Sequence, residues 1–195
     1  MSGTLQVGNI IGPTSGTDAN KVIIPSGQTL DASNGFVAPA GHVIQVKNFY
    51  DASRPSSTSN SFVDSGVSTS FDQELQASSK VFIHVNWSIG HEYDGTWARL
   101  FHLTVYEGGI NRGDSSYGIG GGAANLAGNQ NQAQVQYDAE RLSGSALFTP
   151  STTNPTMSLY YKGHDSVGFR LGGPYNNGDA LYTAPTNGFI MEIAQ

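Results

Sequence analysis

Two stretches of this 195-residue chain alternate with a period of two, and no window of a dozen residues keeps an uninterrupted helical spacing. In KVFIHVNW, from Lys80, the residues Val81, Ile83, Val85 and Trp87 share one face, and Phe82, His84 and Asn86 take the other. In WARLFHLTVYEG, from Trp97, Phe101, Leu103 and Val105 share a face. Period two is the signature of a half-buried strand. The helical candidates are single turns at most: FDQELQA from Phe71, and the Asn-Gln-Ala tract from Ala123 to Gln136. Further strands are expected at Val43 to Val46, Thr156 to Tyr161, Val167 to Leu171 and Phe189 to Ile193. Many short strands with turn residues between them predict an all-β chain built as an antiparallel β-sandwich of jelly-roll type.

The N-terminal region has a different rhythm. In KVIIPSGQTLDASNG, from Lys21, each apolar run is about three residues long before Pro25, Gly27 or the Asp31–Gly35 cluster stops it. Strands this short bury little by themselves. The same strands from other chains would cover them, which makes Val22, Ile23, Ile24, Leu30, Phe36 and Val37 candidates for packing about the axis of a homotrimer. The alternative is that this segment folds back on its own sandwich as edge strands. The polar run DASRPSSTSNS, from Asp51, divides the chain into an oligomerisation region (1–50), a linker (51–61) and a sandwich head (62–195).

Composition narrows the function. There is no cysteine, so disulfides and thiolate metal sites are excluded. Charged residues make up 12% of the chain, about half the usual share of roughly 25%. A net charge of −6 with scattered basic residues argues against a nucleic-acid surface. The opening MSGTLQVGNIIG lacks the basic residue and apolar core of a secretory signal. No apolar run reaches the roughly 18 residues of a membrane-spanning helix, so no membrane insertion is expected.

No constellation matches a known catalytic pattern. His91, Glu92 and Asp94 in GHEYDG are the densest ionisable cluster, but their spacing is neither that of an EF-hand nor that of HExxH. They are weak metal candidates, and a solvated hairpin tip is the favoured reading. Glycoside hydrolysis would need two carboxyls about 5 to 9 Å apart, and nothing selects a pair from Glu92, Asp94, Glu107 and Asp114. GIGGGA, from Gly118, lacks the strand-and-helix setting of a dinucleotide loop. If the two alternating strands formed a simple hairpin, His84 and His102 would share a sheet face. No catalytic residue and no cofactor is expected.

Binding is the stronger expectation. Tyr93, Tyr117 and Tyr175, with Asn176, Asn177 and Asp179, lie in segments rich in Gly, Asn and Asp. Aromatic rings stack on the apolar faces of sugars, and amides bond their hydroxyls. Ordinary sandwich loops with tyrosines packed beneath them are the competing reading.

NKVIIPSGQTLDASNGFVAPAGHVIQVKNF resembles the N-terminal segment of small virion proteins of marine bacteriophages, including cyanophages. FVDSGVSTSFDQELQASSKVFIHVNWSIG and the closing FIMEIAQ are similar to later parts of the same group. About half of the chain carries the likeness, and residues 107–146 do not share in it. The resemblance implies a homotrimeric, non-enzymatic virion component of tail-fibre or tip type, exposed on the particle. The N-terminal region would contact other virion proteins, and the head would meet a host-surface glycan or receptor. The alternatives are a capsid decoration protein and, less favoured, a small glycan-active enzyme.

Overall fold

The computed structural model describes residues 13–17, 23, 26, 39–91, 98–125, 140–163, 169–172 and 185–195. The chain divides into two compact units, Met1–Val37 and Ala38–Gln195. In the first, Gly16 adopts a positive φ and Ile23 is 58% exposed. The other residues expected to mediate trimerisation (Val22, Ile24, Leu30, Phe36 and Val37) lie outside the described residues.

The second unit is all β among its described residues. Its strands are β1 (Val43–Asp51), β2 (Ser56–Ser57), β3 (Val63–Ser70), β4 (Lys80–His91), β5 (Ala98–Glu107) and β6 (Ile110–Asn111). They are followed by β7 (Gly120–Asn125), β8 (Glu140–Phe148), β9 (Thr156–Gly163), β10 (Phe169–Leu171) and β11 (Thr186–Ile193). One sheet runs β1-β11-β4-β8, with β10 and β2 continuing beside β4 past the end of β11. The other runs β3-β9-β5, with β6 and β7 sharing the far edge of β5. All pairs are antiparallel.

Among the eight long strands, every connection except β5 to β7 passes from one sheet to the other. That interleaving is a jelly roll. The expected sandwich is therefore present. The boundaries differ from the sequence reading, because residues 43–61 belong to the sandwich. Val43–Asp51 pairs along β11, and the serine-rich run 52–62 connects β1 to β3 and contributes β2. Its order comes from local side-chain bonds: the Ser57 and Ser59 hydroxyls accept from the N–H groups of Ser59 and Ser61, at 3.0 Å each.

The two alternating stretches supply the centre of the core. Val81, Ile83, Val85, Trp87 and Ile89 face Phe101, Leu103 and Val105, all at 3% exposure or less. Each fully buried side chain of this size contributes about 1.5–3 kcal/mol. Phe71 and Leu75, expected in a turn of helix, instead lie in a non-helical segment whose two large side chains are buried in that core. The simple hairpin between the alternating stretches does not form. β4 and β5 lie in opposite sheets, so His84 and His102 sit on opposite outer faces of the sandwich.

Candidate functional site

The most organised surface feature is the excursion between β6 and β7, over the outer face of the second sheet. It begins with a two-residue hairpin in which Gly108 and Gly109 both take positive φ (57° and 82°), as the twist of the strands requires. The chain then leaves the sheet and returns to it, bonding β5 on either side: Arg112 N–H donates to the Val105 carbonyl and Ile119 N–H to the Leu103 carbonyl, both at 2.8 Å. Between these points, Asp114 and Gly118 exchange two backbone hydrogen bonds of 2.8 and 2.9 Å. The Asp114 carboxylate accepts from the N–H groups of Ser116 (2.7 Å) and Tyr117 (2.8 Å). Those two donors hold its carboxyl below the usual carboxylate range, with a smaller effect from Lys162.

Gly118 is obligatory at this turn. Its φ is +69°, and a Cβ there would lie 2.2 Å from the Leu103 carbonyl oxygen. Asn111 completes the brace, accepting from the Thr104 hydroxyl and from Gly113 N–H.

The brace positions Tyr117. Its ring is 67% exposed and meets His102 edge-on, with centroids 5.6 Å apart. Asn60, His102, Ser116, Tyr117, Lys162 and Gly163 line an open cleft of about 280 Å³ beside it. The Lys162 ammonium lies 4.6 Å above the Phe62 ring, a cation–π contact that steadies it. The cleft therefore combines an exposed ring, an amide, a hydroxyl, an imidazole and an ammonium on a rigid scaffold. That set can stack on a small ligand and bond it; among the described residues no carboxylate lines the cleft.

The other sequence candidates are placed as follows. Tyr93, Tyr175, Asn176, Asn177 and Asp179, with Glu92 and Asp94, lie outside the described residues, and of His91 only the backbone, in β4, is described. Among the described residues no three His, Asp or Glu side chains converge as metal ligands. Glu107 is 1% exposed and bonded to Arg112 and Ser151, so it is an interior ion pair and not an exposed catalytic acid.

Sequence reasoning singled out Tyr117 but missed Asn60 and Lys162, which come from strand-connecting and strand-end positions with no distinguishing pattern. It also missed a larger depression of about 490 Å³ on the outer face of the first sheet. Asn86, Ser88, Arg141, Ser143 and Asn187 form its polar lining.

No family model and no curated protein matches the chain. Among solved structures, it is similar to a crystal structure of the VP2 subviral particle of infectious bursal disease virus. That alignment has 15% identity over 93% of this chain and 40% of the other, with a TM-score of 0.28. It is also similar to the structure of the Gx strain of the same virus, at 12% identity over 88% of this chain and 47% of the other, with a TM-score of 0.30. The chain spans less than half the length of either. Scores of this size assign no function, and the jelly-roll description rests on the strand order given above.

Proposed function

We propose that this protein is a non-enzymatic structural component of a bacteriophage particle, of tail-fibre or tip type, whose jelly roll presents a shallow saccharide-binding cleft to the host surface. The carrying observation is the braced Tyr117 loop. Eight backbone or side-chain bonds and an obligatory glycine hold an aromatic ring open to solvent beside amide, hydroxyl and ammonium donors. A pre-organised ring loses little entropy on binding, so a small contact suffices. Sugars bind through such combinations of ring stacking and hydroxyl bonding. Jelly rolls serve as viral capsid and lectin domains, an analogy at the level of fold that accords with this reading. The N-terminal likeness to phage virion proteins supports placement on a particle, and several copies on one particle would raise the avidity of a weak site.

The test is titration of the intact protein with polysaccharide from the host envelope, followed by calorimetry or by NMR shifts of Tyr117 and His102. Tyr117→Ala should fold normally and weaken binding about tenfold, the loss of one stacking contact of roughly 1–1.5 kcal/mol. Unchanged affinity in that variant, or no binding by the wild type, overturns the site. An antibody raised against the protein should label purified particles under the electron microscope, and absence of label overturns the virion placement.

A further inference from the structure

The outer face of the first sheet is polar over one half, where Asn86, Ser143 and Asn187 line the depression, and apolar over the other, where a solvated antiparallel sheet would also present polar residues. The strand registers align one apolar line across all four long strands: Leu147 opposite Phe82, Phe82 opposite Met191, and Met191 opposite Val46. The neighbouring lines add Phe189 beside His84, and Ile193 opposite Val43. Phe189 touches both Phe82 and His84, with ring centroids 6.1 and 5.4 Å apart. Leu147, Val46 and Val43 are 55%, 53% and 52% exposed. Contiguous apolar surface of this kind marks an interaction face. The opposite outer face differs in kind, with Thr104, Ser158, Lys162 and Asp64 outward beside one stacked pair, Tyr106 and Tyr160, and the Tyr117 loop laid across it.

We propose that this apolar face is where copies of the chain pack on one another, as the subunit interface of a homo-oligomer. Three observations favour a second copy as the occupant. The first is charge. The chain carries a net charge of −6, yet none of the outward residues in the three central register lines is acidic, and Lys80 and Arg141 lie at opposite ends. Identical faces can therefore meet without carboxylates opposing one another. The second is size. The whole outer face, apolar and polar halves together, is four strands at about 4.8 Å spacing by eight residues at about 3.3 Å, roughly 500 Å² per copy. Two copies would bury about 1,000 Å², the lower bound for a specific interface. The third is geometry. The Tyr117 cleft lies on the opposite sheet, so association through this face leaves it open. The sequence reading placed self-association among residues 22–37, and the residues of this face lie elsewhere in the sequence.

The test is absolute mass by light scattering behind size exclusion, on the full chain across a dilution series. The expected mass is a multiple of 20.6 kDa that falls toward 20.6 kDa on dilution. Leu147→Lys and Val46→Lys, both at exposed positions, should leave the thermal melt of the fully diluted chain unchanged and raise the dissociation constant at least tenfold. Ser68→Lys, on the outer face of the other sheet, should behave as wild type. In the assembled wild type, dilute peroxide should oxidise Met191 more slowly than in Leu147→Lys, with the fully buried Met157 as internal reference. A wild type that is monomeric at every concentration overturns the proposal. So does an oligomer indifferent to both lysine substitutions, or equal Met191 oxidation in the two samples.

Discussion

Glu107 and Glu192 are carboxylates that folding takes almost wholly out of water, at 1% and 0% exposure, and each is retained through bonds to several donors. Glu192 accepts from the Gln45 amide (2.7 Å), Gln76 N–H (2.6 Å) and the Ser79 hydroxyl (2.7 Å). It thereby ties the segment after β3 to β1 and β11. Glu107 is paired with Arg112 and also accepts from the hydroxyl and N–H of Ser151. Burial alone would raise its carboxyl. The bonds from Arg112 and Ser151 outweigh that and hold it below its ordinary value of 4.5. A depressed folded-state value means that the unfolded chain binds the proton more tightly. The stabilisation is therefore present above about pH 4.5 and is lost as the pH falls through the lower, folded-state value. Urea unfolding at pH 7 and pH 3 should show a larger acid loss for wild type than for Glu107→Gln. Equal losses would remove Glu107 from the acid response. At pH 7, Glu107→Ala should cost about 3–5 kcal/mol by leaving Arg112 partly buried without its partner.

At the scale of elements, the two sheets approach most closely along the edges formed by β7 and β8, and glycine makes that approach possible. A Cβ on Gly144 would lie 2.7 Å from the Ile119 carbonyl oxygen, and one on Gly120 would lie 3.0 Å from both the Ser143 carbonyl oxygen and the Trp87 ring. Trp87 fills the space beneath both. The GIGGGA run thus finds its explanation in packing: one glycine turns the chain back to β5, and another lets two sheets meet. Gly144→Ala should destabilise the protein by about 1–3 kcal/mol, since backbone and not a flexible side chain must move. Thermal denaturation checks this, and an unchanged melting temperature would show that the seam can open without cost. The alternation in β4 and β5 was enough to assign their inward faces, because a strand's period fixes which residues point together. It could not show that consecutive strands belong to different sheets, since a sheet-crossing connection and a hairpin leave the same pattern. β8 was missed for a related reason: its inward residues include Gly144 and Ala146, too small to register as an apolar face.

At the scale of the whole molecule, nearly every strand pairing joins distant parts of the chain, with β1 beside β11 the extreme case. Loop closure must precede the reward of such contacts, so refolding should take milliseconds to seconds and not microseconds. Stopped-flow refolding from urea would show this, and a microsecond phase carrying the full amplitude would contradict the nonlocal topology. The two outer faces of the molecule are also unlike. One carries an apolar line across four strands beside a polar depression; the other carries polar side chains, the Tyr106–Tyr160 stack and the braced loop. If the first is an interface and the second a binding surface, assembly and recognition occupy opposite sides of a single sandwich.

The amino-acid sequence by itself determined the all-β class and the inward faces of the central strands, and it named Tyr117 as one of several candidate tyrosines. Each follows from local rules: period-two alternation, absent helical spacing, and a tyrosine set among turn-forming residues. Tertiary structure decided which strands are neighbours, that residues 43–61 complete the sandwich, and that Asn60, His102, Tyr117 and Lys162 come together. It also decided that Leu147, Phe82, Met191 and Val46 form one line. Val46, Leu147 and Met191 lie 36, 65 and 109 positions from Phe82 in sequence, and only hydrogen-bond register between strands places the four side by side.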